Sequence, residues 1–187
     1  VKGWKTMIIT IVILLLAWSL SSIIKDLGTS RYLVGILSDS VPLWVLPTTI
    51  FILGSFISFS TGTSYGTMGI LMPLAIPLAF AIGGYNGLTE HALHSYMIIN
   101  IGSVLTGAIF GDHCSPISDT TILSSMGAGC NHIDHVATQM PYALLIGAIS
   151  ILIGYLPVSF GLPVVFSLAL GVITIFTLLK ICLLYTS

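Results

Sequence analysis

Residues 111–121 carry side chains that could bind a cation or a proton. The stretch contains the carboxylates Asp112 and Asp119, the imidazole of His113, a thiol and four hydroxyl groups, and apolar sequence flanks it on both sides. Ionisable groups at membrane depth are costly and usually serve transport. A carboxylate there can hold a proton or a monovalent cation, because burial favours its neutral form and a helix N-terminus favours its charged form. This is the minimal chemistry of cation/proton exchange, with Asp119 as first candidate, Asp112 as second and His113 as a further titrating group.

Local signals in this stretch predict an interrupted helix at 111–116. Gly111 follows an apolar run where a C′ glycine would end a helix. Ser115 and Pro116 are typical of the N-cap and first position of a new helix. A helix that breaks inside a membrane exposes carbonyl groups at one end and N–H groups at the other, and secondary transporters build ion sites from such ends. An extramembrane loop between two complete helices is the alternative.

A second polar stretch, residues 58–67, interrupts an otherwise apolar and uncharged region. It contains seven hydroxyl groups and the glycines Gly62 and Gly66. We expect a membrane hairpin or broken helix here, since glycine permits backbone conformations that a helix does not use; a polar turn between two helices is the alternative. Neutral oxygens suit a small hard cation, so the candidate ligands besides the carboxylates are Thr63, Ser64, Thr67, Ser118, Thr120 and Thr121.

The composition is that of a membrane protein. Of the 187 residues, 56% are hydrophobic and 6% are charged, whereas a soluble domain has about 25% charged residues. The five Lys and Arg residues form no basic patch, so nucleic acid is not an expected partner. The apolar runs predict an all-α polytopic membrane protein with about six membrane segments, at 7–24, 41–57, 68–82, 93–110, 141–160 and 162–179.

A membrane-embedded metal enzyme is a weaker hypothesis. It would use His113 and Asp119 with distant His or Cys ligands, but no four-ligand spacing occurs in the sequence. The three cysteines are unevenly spaced and predict neither a disulfide framework nor a paired ligand set. We therefore expect a chain that is not an enzyme, with no cofactor and no metal other than a transported Na⁺.

Two motifs resemble the signature segments of the NhaC-type Na⁺/H⁺ antiporter family. They are Gly62–Gly69 and Phe110–Thr121, and the similarity runs from about Trp44 to Tyr142. The resemblance implies a multi-pass secondary transporter of the bacterial inner membrane that exchanges Na⁺ for H⁺ and is built from inverted repeats. The family also includes exchangers of organic solutes, so a Na⁺- or H⁺-coupled antiporter of malate/lactate or of an amino acid is the alternative.

The resemblance also implies partners and boundaries. The partners would be Na⁺, H⁺ and the lipid bilayer. Family members are longer, so residues 1–181 would be one half of an inverted-repeat transporter, the C-terminal half of its membrane domain. Its further partners would be the missing N-terminal half and, in a homodimer, a second copy. Residues 182–187 read like a translated sequencing adapter, and we expect them to be an artefact.

Overall fold

The chain is helical throughout the part that the structure describes. The computed structural model describes residues 41–185, apart from the side chains of 182–185, and isolated positions between residues 8 and 36. No strand occurs among these residues. The helices of the continuous part are α1 (Val45–Thr61), α2 (Ser64–Tyr85), α3 (Glu90–Cys114), α4 (Asp119–Ala128), α5 (His132–Ile149), a π-helical interval (Ser150–Tyr155), α6 (Leu156–Ser159) and α7 (Val164–Tyr185).

Four of these helical stretches are long and apolar enough to cross a membrane. They are Ser64–Tyr85, Glu90–Cys114, His132–Ser159 and Val164–Ile181, and the apolar helix α1 is shorter, at 17 residues. The expected all-α polytopic class is therefore confirmed. The expected first segment, 7–24, and the side chains of 182–187 lie outside the continuously described part.

Helices α1 and α3 run parallel and approach closely through small residues. A side chain at Gly107 would overlap the carbonyl oxygen of Phe51, and one at Gly111 would overlap that of Ser55. The numbering therefore rises in the same direction along both helices. Ser58 is fully buried in this interface and donates a hydrogen bond of 2.5 Å to the carbonyl oxygen of Ala108. This contact fixes the ends of the two helices at the same level.

Helix α2 runs back alongside α1 and α3. It stays continuous through Pro73 and Pro77. The apolar core lies between these three helices and includes the fully buried Ile82 and Val104. Because α1 and α3 run parallel with their ends at the same level, the end of α1, the start of α2 and the end of α3 all lie at one end of this three-helix unit.

Helix α5 begins at His132, nine residues before the segment expected at 141–160. Asn131 caps it by accepting a hydrogen bond of 2.9 Å from the backbone N–H of Ile133, and Pro141 lies inside it. The π-helical interval then leads to Tyr155, whose hydroxyl group is hydrogen-bonded to that of Thr106 on α3. Earlier in α5, Gln139 contacts the His113 carbonyl oxygen near the end of α3, so the numbering rises along α5 and its continuation as it falls along α3, and the two run antiparallel.

Candidate functional site

The two polar stretches meet where four helices end or begin. Helix α1 ends at Thr61 and α2 begins at Ser64, while α3 ends at Cys114 and α4 begins at Asp119. Each pair is joined by a short connection, 62–63 and 115–118, which we call the first and second connection. They lie against each other, since a side chain at Gly62 would overlap the carbonyl group of Ile117. The stretches 58–67 and 111–121 therefore lie together in the structure.

Asp112 is the carboxylate at the centre of this meeting point. Its Oδ1 atom accepts a hydrogen bond of 2.7 Å from the hydroxyl group of Ser118, and its Oδ2 atom accepts a longer one of 3.4 Å from Ser64. Ser118 is fully buried and its Oγ atom lies 2.8 Å from that of Thr120. One half-buried carboxylate and three hydroxyl groups therefore form a cluster of oxygen atoms of the type that binds hard cations. We call Asp112, Ser64, Ser118 and Thr120 the oxygen cluster.

The electrostatics of helix ends act on Asp112 from both sides. Ser64 is the first residue of α2 and Ser118 is the N-cap of α4, so hydroxyl groups at two helix N-termini contact the carboxylate. Asp112 itself lies in the last turn of α3, whose negative end attracts cations. The site therefore combines a carboxylate with the negative end of a helix, and both attract a cation.

The sequence predicted that Gly111 ends a helix, and this prediction is wrong. Gly111 lies inside α3, which continues to Cys114. Because Gly111 has no side chain, the backbone of α1 can approach it closely. A glycine that only ends a helix would not need this close approach. The sequence signal was a glycine after an apolar run, and such a glycine fits close helix packing as well as a helix end.

The second connection also starts later than expected. Ser115 is the C-cap of α3 rather than an N-cap, and its hydroxyl group donates to the carbonyl oxygen of Phe59 at 2.7 Å. Pro116 lies within the connection rather than in a first helical turn. Ser118 is the N-cap of α4, accepting a hydrogen bond of 3.2 Å from the backbone N–H of Thr120. The interruption is therefore real, and it lies at 115–118 instead of 111–116.

The glycines of the first connection have different roles. Gly62 is the left-handed C-cap of α1, with φ of 65°, and its N–H donates to the carbonyl oxygen of Ser58 at 2.8 Å. Gly66 lies in the first turn of α2, where its N–H donates to the hydroxyl group of Thr63 at 3.3 Å. Thr67 is buried and donates to the Thr63 carbonyl oxygen. Thr63 and Thr67 thus stabilise the start of α2, and among the described residues no hydrogen bond joins either side chain to Asp112.

Three further candidates surround the oxygen cluster without joining it. Asp119 is the first residue of α4, its side chain is exposed, and no hydrogen bond of its carboxylate occurs within the described part of the chain. His113 is exposed, and its carbonyl oxygen accepts a hydrogen bond of 3.3 Å from the hydroxyl group of Thr121. The structure therefore gathers Asp112 rather than Asp119 with the hydroxyl groups.

Two residues of α5 contact this region, and the sequence alone did not reveal them. His132 lies 2.6 Å, through its Nε2 atom, from the carbonyl oxygen of Pro116, and Gln139 donates to the carbonyl oxygen of His113 at 3.1 Å. The available signal was a pair of polar residues seven apart, hence on one face of a helix. Polar residues such as those at 130–135 are equally typical of a loop, so the pattern alone does not identify this helix face.

The oxygen cluster lies at one end of a helix of full membrane-spanning length. Helix α3 has 25 residues, which gives it a length of about 37 Å, more than the hydrocarbon core of about 30 Å. No group of three or more His, Cys, Asp or Glu side chains that could hold a metal ion occurs among the described residues. The arrangement is a carboxylate–hydroxyl site between interrupted helices of a multi-pass membrane protein, which is how secondary transporters build ion sites.

Comparison with known proteins places this architecture in a family. The chain matches the model of the Na⁺/H⁺ antiporter family over residues 1–160. An uncharacterized protein of Haemophilus influenzae is 44% identical over 160 residues, covering 86% of this chain and 29% of that protein. An uncharacterized Na⁺/H⁺ antiporter of the same species is 32% identical over 120 residues, 60% of this chain and 22% of that protein. An arginine/ornithine antiporter of Halobacterium salinarum is 28% identical over 145 residues, 70% of this chain and 29% of that protein.

The chain belongs to the Na⁺/H⁺ antiporter family. No solved structure matches it. The matched part spans less than a third of the length of each of these relatives. Family membership and the four long apolar helices indicate a multi-pass membrane protein.

Proposed function

We propose that this chain is part of a secondary active transporter that exchanges Na⁺ for H⁺, with Asp112 as the group that binds both ions in turn. The observation that carries the proposal is the pair of hydrogen bonds that Asp112 accepts from Ser118 and Ser64, each at the start of a helix. The location would be the bacterial inner membrane. The remainder of the transporter, including an N-terminal half and a second copy in a homodimer, would complete the machinery around residues 1–181.

The exchange follows from the chemistry of the oxygen cluster. Charged Asp112 offers two acceptor oxygens, and a hydroxyl group has two lone pairs besides its donor hydrogen. The contact with Ser64 is long, at 3.4 Å, so this hydroxyl group is held loosely and can turn a lone pair toward Na⁺. Protonation of Asp112 removes the negative charge that holds the cation, and Na⁺ then leaves. One carboxylate thus couples opposite movements of the two ions.

The role of Asp119 differs in this proposal. Its exposed carboxylate at the first position of α4 stabilises the positive end of that helix. Facing away from the oxygen cluster, it is positioned to contact the part of the transporter beyond this chain or to attract cations toward the site. It therefore modulates exchange, whereas Asp112 carries it.

An organic solute is the second candidate substrate. The arginine/ornithine antiporter of Halobacterium salinarum matches 70% of this chain, so the same helices occur in a relative whose name specifies amino acids. Arginine and ornithine carry positive groups, which a carboxylate such as Asp112 can bind as it binds Na⁺. This candidate needs a larger site than the oxygen cluster alone, with residues from the rest of the transporter.

Transport by the full-length protein that contains this chain tests the proposal. The protein is reconstituted in vesicles that enclose a pH-sensitive dye, and an outward Na⁺ gradient is imposed. We expect the lumen to acidify as Na⁺ leaves in exchange for H⁺, with no response to an outward arginine or ornithine gradient. Proton movement only with arginine or ornithine would favour the amino-acid antiporter, and the absence of any Na⁺ response would contradict Na⁺/H⁺ exchange.

A further inference from the structure

The side chain of His132 joins three parts of the molecule. It lies in the first turn of α5, and its Nε2 atom is 2.6 Å from the carbonyl oxygen of Pro116 in the second connection. Its Nδ1 atom is 3.1 Å from the hydroxyl group of Ser125 in the last turn of α4. The ring is half-buried and Ser125 is fully buried. The imidazole of His132 therefore links Pro116, two residues before Ser118, with the C-terminal end of α4, the helix that Ser118 caps.

The partners of the ring define its protonation pattern. A carbonyl oxygen can only accept, so Nε2 carries the hydrogen and donates to Pro116. In the neutral ring Nδ1 then accepts from the hydroxyl group of Ser125. In the charged ring Nδ1 donates to Ser125, whose hydroxyl group can donate to the Ile122 carbonyl oxygen at 2.8 Å. The contact with Pro116 is present in both forms, which makes it a constant anchor of the second connection.

The second connection has few other anchors. Ser115 holds its start to α1 by donating to the Phe59 carbonyl oxygen, and Ser118 holds its end by donating to Asp112. Between them, Pro116 has no backbone N–H group, and the side chain of Ile117 is exposed. The N–H of Ile117 donates within the connection, to the hydroxyl group of Ser115 at 3.3 Å. The bond from His132 is thus the side-chain hydrogen bond that ties the middle of this connection to another helix, in the part of the chain that the structure describes.

We propose that His132 is a positioning residue of the cation site. By holding Pro116, it fixes the path of the second connection and keeps the hydroxyl group of Ser118 at 2.7 Å from Asp112. A second histidine, one turn further along α5, also joins α5 to α4, since the Nε2 atom of His135 lies 2.7 Å from the hydroxyl group of Ser124 on α4. The inference rests on the proposed role of Asp112 and Ser118 in cation binding.

A spin label at Ile117 tests the positional part independently of the transported substrate. The full-length protein carries Ile117→Cys with every native cysteine replaced by alanine, and the label is observed in lipid vesicles. Adding His132→Ala should increase the ratio of mobile to immobile label about fivefold, the effect of one lost hydrogen bond. His132→Gln should restore most of the immobile population, because the amide N–H can donate to Pro116. A label at the exposed Ile98 on α3 should not change with either variant.

Transport kinetics test the functional part. His132→Ala should raise the half-saturating Na⁺ concentration about fivefold, with the maximal rate within about twofold of the unsubstituted protein. His132→Gln should recover Na⁺ half-saturation to within about twofold. His94→Ala, which changes an exposed histidine near the opposite end of α3, is the matched control and should have no effect. Ser125→Ala, which leaves His132 in place but removes a ring partner, should shift the half-saturation in the same direction by less.

The outcomes separate this inference from the proposed function. Unchanged label mobility in His132→Ala overturns the positional role whatever the substrate is. Increased mobility with unchanged Na⁺ half-saturation overturns the link to the cation site. An equal rise in Na⁺ half-saturation in His132→Ala and His132→Gln, accompanied by a lower melting temperature in both, indicates a purely structural role and also overturns the proposal.

If Asp112→Asn transports Na⁺ normally, the proposed site is wrong, and that result does not depend on His132. Should His132→Ala not fold, the same readouts in Ser125→Ala decide.

Discussion

The hydroxyl group of Ser118 donates a hydrogen bond of 2.7 Å to Oδ1 of Asp112 across the second connection. This bond links the last turn of α3 to the N-cap of α4, so one side chain both caps a helix and contacts the carboxylate. A change at Asp112 is therefore transmitted directly to the start of α4. The relationship distinguishes the two acids of the polar stretch, because the exposed Asp119 makes no such bond within the described part of the chain.

Replacing the two acids separately should show which one carries exchange. Asp112→Asn should lower the rate of Na⁺-dependent proton movement about 100-fold, because charge-assisted hydrogen bonds and the titrating group are both lost. Asp119→Asn should lower it about two- to fivefold, the effect of losing one helix-end charge. The measurement is the initial rate of the pH change in reconstituted vesicles. Glu90→Gln, at the far end of α3, is the control. A larger loss in Asp119→Asn than in Asp112→Asn would show that the sequence-based ranking of the acids was right.

The hydroxyl groups of the oxygen cluster should contribute unequally. Ser118→Ala removes a short bond to Asp112 and the cap of α4, so we expect the half-saturating Na⁺ concentration to rise about tenfold. Ser64→Ala removes only the 3.4 Å contact and should raise it about two- to threefold. Ser60→Ala is a matched control, because this exposed hydroxyl group donates to the Phe56 carbonyl oxygen within α1. Equal effects of Ser60→Ala and Ser118→Ala would contradict the cluster.

The apolar runs predicted the helices well because membrane crossing depends on length and hydrophobicity, which are local properties. The run at 93–110 lies inside α3, and the polar stretch at 58–67 contains the first connection. The positions of helix ends depend on partners distant in sequence. Gly111 lies within α3 and packs against the backbone of Ser55 on α1, and nothing in the residues around Gly111 indicates that contact.

The candidate site was predicted in its composition more than in its geometry. The two polar stretches indicated which oxygen-bearing residues could form a site, since oxygen-rich sequence in an apolar region is unusual. Which acid faces the hydroxyl groups depends on the direction in which each helix end turns. Asp112 precedes the interruption by one turn and faces Ser64, whereas Asp119 follows it and faces outward. His132 was not recognised because its partner Pro116 is 16 residues away.

Alanine substitutions at two glycines of α3 should change stability in opposite directions. Gly111→Ala places a methyl group against the Ser55 backbone, so we expect a loss of about 1–3 kcal/mol. Gly102 has open space around it, and Gly102→Ala should stabilise the helix by up to about 1 kcal/mol. Thermal unfolding of the purified proteins in one detergent measures both. A stabilised Gly111→Ala variant would mean that α1 and α3 do not approach as closely as described.

Protons and Na⁺ should compete if Asp112 binds both. Lowering the pH on the Na⁺-entry side should raise the half-saturating Na⁺ concentration by up to about tenfold per pH unit, because each proton bound removes one cation site. The maximal rate should stay constant, since saturating Na⁺ displaces the proton. The measurement is Na⁺ uptake into vesicles as a function of Na⁺ concentration at several external pH values, with the internal pH held fixed. Glu90→Gln should retain the same competitive pattern. A pH effect confined to the maximal rate, with constant half-saturation, would show that the two ions use different groups and that Asp112 is not a shared site.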